Sequence, residues 1–121
     1  MKFDSYTVTL LLLCPDAPVL PEAEANALQD RHLDHGATLQ DQGIILARGP
    51  LAEQDDPRLR GFTIWSVDQQ TARELANRDP GVLEGRFEVQ VMTWLMPAGN
   101  LSFGAVEAPH SMADARGGDE A

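Results

Sequence analysis

The sequence predicts an α+β sandwich in which an antiparallel sheet is covered on one side by two helices. Three observations carry this. Residues 5 to 14 and 86 to 96 begin with or keep the period-two alternation of strands. Within residues 21 to 42, Leu28, His32, His35 and Leu39 form a stripe at helical spacing. Runs rich in Gly, Pro and Asp punctuate the chain between such segments.

The first strand, "SYTVTLLLLC" at residues 5 to 14, has Tyr6, Val8, Leu10 and Leu12 on one face. Thr7, Thr9, Leu11 and Leu13 share the other. A strand apolar on both faces wants cover on both sides. The prolines of "PDAPVLP" end it. The helix over 21 to 42 has Pro21 in its first turn, acids Glu22 and Glu24 at its positive end, and Gly43 as its stop. Gly36 costs that helix about 1 kcal/mol against alanine, a cost that suggests close approach of another backbone. Residues 44 to 49 form a short strand, "GPLAEQDDPRLRG" a loop, and residues 61 to 67 a third strand. Asp68 caps a second helix over 69 to 78, which Asp79-Pro80-Gly81 breaks. Residues 86 to 96 are the last strand. The order β-α-β-β-α-β is ferredoxin-like. Residues 1–97 make up this domain, and the Gly-, Ala- and acid-rich residues 98–121 read as a mobile tail.

Placing Phe87, Val89 and Val91 under the helices turns Met92, Trp94 and Met96 to the second face of the sheet. Placing Phe62 and Ile64 there likewise turns Thr63, Trp65 and Val67 away. The second face then carries both tryptophans, too much apolar surface to leave in water. A homodimer joined face to face, with a cavity between the sheets, accounts for it.

Bulk composition narrows the function. The chain has 121 residues and a net charge of −10, with Lys2 its one lysine. Such a field repels nucleic acid and anionic membranes. The single Cys14 allows no intrachain disulfide and fits a reducing cytoplasm. The apolar run "TVTLLLLC" lacks a basic flank and a cleavage site, and falls far short of the roughly 20 residues that span a bilayer. The expected setting is cytoplasmic, with no nucleic acid or membrane as partner.

Among polar residues, His32 is the sharpest candidate. Histidine moves protons near neutral pH, and a ring on the inner stripe of a helix needs a partner for its N–H. Asp79, at the end of the second helix, is a suitable carboxylate. The plainer reading makes His32 a half-buried structural histidine and Asp79 a turn residue. His35, three residues on, could join His32 as a metal pair, but cysteine ligands and an HExxH pattern are lacking, so no metal is assigned. Ser66 has no nucleophile elbow around it. Gly49 fits either a turn or a close approach to a ligand. Phosphate-binding glycine loops are absent, and no cofactor is expected.

Several pieces, taken in order, resemble the YCII-related (YciI-like) family: "HL" at His32-Leu33, "GPL" at Gly49 to Leu51, "DDPRLRGFTI" at Asp55 to Ile64, "DP" at Asp79-Pro80 and "GRFEVQVMTWLMPAG" at Gly85 to Gly99. The resemblance implies a dimeric α/β barrel of ferredoxin-like subunits. It also implies an active site built on a histidine and an aspartate, which map onto His32 and Asp79. A few similar proteins are linked to breakdown of chlorinated aromatics. One position departs: Gln29 stands where many relatives carry an arginine.

The reading of the whole is a homodimer whose His32 transfers a proton while Asp79 orients it, in lyase or isomerase chemistry. Trp65, Trp94, Met92, Ser66 and Gly49 are assigned to the pocket of a small, phenolic or chlorinated aromatic-derived substrate. The alternative is a non-catalytic dimeric module that binds a metabolite or partner, with the His32 ring satisfied away from Asp79.

Overall fold

The computed structural model describes residues 1–117. Four strands form one antiparallel sheet: β1 (Phe3–Leu13), β2 (Ile45–Pro50), β3 (Leu59–Trp65) and β4 (Phe87–Pro97), in the order β2-β3-β1-β4. The long helix α1 (Glu22–Asp41) packs over the β2 edge, and α2 (Gln69–Ala76) over β4 and β1. Both crossovers thus fall on one side, and the ferredoxin-like α+β reading holds. No described helix is long and apolar enough to cross a membrane.

β1 is central because it pairs along its length with β3 and β4. Its registers decide which face each side chain takes, since directly paired residues share a face. Thr7 lies opposite Trp65 and Thr9 opposite Thr63. Trp65 therefore belongs under the helices, where it is 3% exposed and packs with Leu39, Ile45, Ala72 and Ala76. Its Nε1–H donates to the Thr9 hydroxyl at 2.9 Å, so neither buried polar group lacks a partner. This corrects the expected placement of β3: Phe62 and Ile64 face away, and Thr63 and Trp65 face the helices. Both faces of β3 carry apolar groups, so alternation alone gave no preference, and pairing with β1 decides.

A similar shift affects β2. Ile45 lies opposite Trp65, but Ala47 lies opposite Ile64 and Arg48 opposite Thr63. The register slips by one residue between Ile45 and Ala47. Without that bulge Arg48 would point to the second face; with it, the side chain turns beneath α1. There it meets Gly36. An added Cβ at Gly36 would collide with the Arg48 guanidinium. The close approach expected at this glycine is thus made by a side chain rather than by another backbone.

The break expected at Asp79-Pro80-Gly81 opens a one-turn helix, α3 (Pro80–Leu83). Pro80 suits its first position, where no N–H is required. After β4 the chain returns over the domain. The Phe103 ring meets Tyr6 edge-on at 5.5 Å. His110 sits on α1, with Nδ1 2.6 Å from Asp34 Oδ1 and Nε2 2.8 Å from Asp41 Oδ2. Its own N–H donates to Asp34's neighbour in this cluster, Asp114 of α4 (Met112–Gly117), and Met112 N–H to Asp30 of α1. The tail proposed for residues 98–121 extends into residues 118–121, which lie outside the described residues.

Carboxylates only accept when ionised, so both His110 ring nitrogens must donate and the ring is held as the cation. The bond to Asp34, then that to Asp41, raises its pKa above the ordinary 6.5. A raised value in the folded state means that the attachment is strongest below the ordinary value and is lost as pH rises through the raised one. Protease cleavage between residues 98 and 109, taken relative to a His110→Gln variant, should therefore increase as pH climbs from about 6 into the alkaline range. A pH-independent ratio would contradict this attachment.

Candidate functional site

A cavity of about 440 Å³ lies between α1 and the sheet. That volume suits a small molecule. His32, Arg48, Trp65 and Asp79 line it, with Phe87 and Val89 from β4 and residues 106–109 at one side.

The helical stripe of α1 brings His32 to this space. Leu28 and Leu39 are buried on the same stripe and fix the helix rotation. His32 Nδ1 lies 2.6 Å from Asp79 Oδ2, with side chains 12% and 10% exposed. Asp79 is held from the other side as well. It is the N-cap of α3, and its Oδ1 accepts the Gly81 N–H at 2.9 Å. A carboxylate engaged on both oxygens acts as acceptor, so the proton between the pair belongs to Nδ1. This leaves Nε2 of the neutral ring as the basic nitrogen. Among the described residues no hydrogen-bond partner meets Nε2. The Phe87 ring lies 5.6 Å from the imidazole and restrains its tilt.

His35 takes another direction. Its Nε2–H donates to the Leu75 carbonyl at 2.9 Å and ties α1 to α2. The two rings therefore engage different acceptors. Arg31, exposed, pairs with Glu84 at 3.1 Å and joins α1 to the end of α3. Gln29 lines the cavity.

Of the residues assigned to a pocket from sequence, Trp65 and Gly49 line this cavity along with His32 and Asp79. Met92 lies opposite Val8 and Trp94 opposite Tyr6, on the far face of the sheet. Trp94 is 42% exposed there and meets Phe62 edge-on at 6.2 Å. Ser66 is exposed, and its hydroxyl donates to the Gly43 carbonyl at 2.8 Å in the turn after α1. Cys14 follows β1, and partial burial, then the charges of Glu88 and Asp16, pushes its thiol pKa up, the reverse of activation.

The profile of the YCII-related domain matches residues 8–95, well over half of the chain. The protein belongs to the YCII-related family. No curated protein matches it. The matched span of this YCII-related protein includes His32, Arg48 and Asp79, whereas residues 106–109 at the cavity lie beyond it.

Among the cavity residues that sequence reading did not single out are Arg48 and Arg86. Arg48 was hidden by the bulge in β2. Arg86 adjoins Phe87, its guanidinium carbon 5.1 Å from the ring centroid, and no spacing pattern singles it out. Gly36 carried the one signal that pointed towards Arg48.

The cap geometry also makes Gly81 sensitive. A Cβ there would lie 2.7 Å from the buried Phe87 ring. Although alanine ordinarily favours helix, Gly81→Ala should lower stability by about 1–3 kcal/mol, the usual cost of overpacking. Denaturant midpoints of the two proteins test this; equal midpoints would show that the ring is not confined as described.

Proposed function

We propose that this YCII-related protein is a small-molecule enzyme in which His32 moves a proton and Asp79 orients it. The observation that carries this reading is the 2.6 Å contact between His32 Nδ1 and a carboxylate already anchored at the cap of α3. That arrangement favours the tautomer with Nδ1 protonated and leaves Nε2 as the basic nitrogen of a ring that lines the cavity, the requirements of a positioned general base. The carboxylate also stabilises the imidazolium that forms when Nε2 takes a proton, as in other base-and-orienter pairs. The reaction class is lyase or isomerase chemistry on a small carbon acid, with phenolic or chlorinated aromatic-derived compounds as the substrate range. Trp65, Phe87 and Val89 supply apolar walls for such a body.

The working unit in this reading is a homodimer, supported by the exposed Trp94 on the sheet face away from the helices. Its setting is the cytoplasm, supported by the single cysteine.

Deuterium uptake tests the reaction without a named substrate. Lactones, phenolic ketones and chlorinated aromatic-derived acids are incubated with the protein in heavy water and followed by NMR. At least one compound should exchange a carbon-bound proton, with His32→Asn reducing the rate by about 10²–10⁴-fold, the range of general acid–base catalysis. Exchange at the wild-type rate in His32→Asn would refute the mechanism.

A further inference from the structure

The cavity collects positive charge in a strongly acidic chain. Three arginines line it, Arg48, Arg60 and Arg86, against two carboxylates, Asp79 and Glu107. Net charge over the whole chain is −10. Two of these arginines have occupations of their own. Arg60 Nε donates to the Pro57 carbonyl at 2.7 Å, and Arg86 lies over the Phe87 ring.

Arg48 is different. The bulge between Ile45 and Ala47 turns it inward, and Gly36 leaves room for its guanidinium against α1. Among the described residues its one hydrogen-bond acceptor is the Leu33 carbonyl, at 3.3 Å. A guanidinium has five N–H donors in a planar fork. Burial acts against its charge and lowers its pKa, with Asp79 opposing from nearby. Asp79 is not its direct partner: the Asp79 oxygens meet His32 and the Gly81 N–H, and among the described residues the Arg48 guanidinium bonds only to Leu33. A half-buried arginine with one long bond to a neutral group has donors to spare for a ligand. Its charge and free donors match a carboxylate, which binds such a fork in bidentate fashion.

We propose that the cavity takes a small organic carboxylate, its carboxylate on Arg48 and its apolar body against Trp65, Phe87 and Val89. His32 lines the same cavity, and in this account acts on the body of the bound acid. The assignment names the substrate class of the proposed reaction, and rests on that reading for the role of His32. Arg48 is a binding and specificity residue in this account, with no part in moving the proton.

The test uses the full chain carrying Trp94→Phe, so that Trp65 is the fluorophore. Benzoate and its neutral isostere benzamide are the probes. Benzoate should quench Trp65 saturably and bind at least about tenfold more tightly than benzamide, the effect of one hydrogen-bonded charge. Arg48→Met should abolish that preference while leaving benzamide affinity in place. Gly36→Ala keeps every charge and favours helix, but its Cβ displaces the guanidinium, so it too should weaken benzoate binding. Equal affinity for the two probes in the parent protein would overturn the proposal, and that comparison needs no folded variant. So would unaltered benzoate affinity in both variants, or no saturation by benzoate or cyclohexanecarboxylate up to about 10 mM. The two readings fail separately. Indifference to probe charge alongside His32-dependent deuterium exchange removes the carboxylate alone. A benzoate preference alongside exchange that survives His32→Asn removes the proton-transfer mechanism alone.

Discussion

The carboxylate of Asp79 accepts two hydrogen bonds that belong to different levels of the structure. One oxygen takes the Gly81 N–H and starts α3; the other takes Nδ1 of His32 from α1. A cap is a local necessity, since the first N–H groups of a helix have no partners within it. Here that necessity aims a carboxylate across the layer of helices. Pro80 and Gly81 contribute to the same end. The proline supplies a preset turn, and the glycine lets the Phe87 ring close over the cap and beside the imidazole. Loosening the cap would release the carboxylate, the imidazole bonded to it and the Phe87 ring together.

The sheet imposes a second constraint. Its central strand β1 dictates the faces of its neighbours through pairing, and Trp65 enters the helix-side core because it stands opposite Thr7. The one-residue slip in β2 then brings Arg48 to the same side as Trp65. A cation beneath a helix needs space, and Gly36 provides it at some loss of helix propensity. The bulge and the glycine, distant in sequence, have one physical explanation between them.

The order of elements was legible in the sequence because each carries its own marks: alternation in β1 and β4, a helical stripe in α1, Asp68 before α2. His32 and Asp79 stood out for related reasons, one by its place on an apolar stripe and the other as a carboxylate at the end of the second helix. Face assignment was less accessible. β3 presents Phe62 and Ile64 on one side and Trp65 on the other, so alternation fixes two faces without saying which is inside. The placement of Met92 and Trp94 beside Trp65 followed from that ambiguity. Arg48 was hidden for another reason: strand parity assumes no bulge, and one extra residue reverses every later position. Gly36 did mark a close approach, but a missing Cβ cannot identify the group that fills the space.

The orientation of His32 by Asp79 is the claim on which the rest turns, and the ring tautomer reports it directly. Nitrogen-15 NMR of the histidine rings in the full chain, with His32 assigned and in its neutral form, distinguishes the two nitrogens. Orientation by Asp79 predicts a protonated Nδ1 and an unprotonated Nε2. A neutral His32 that carries its proton on Nε2 would contradict it, since Asp79 would then not hold the ring and no basic nitrogen would face the cavity.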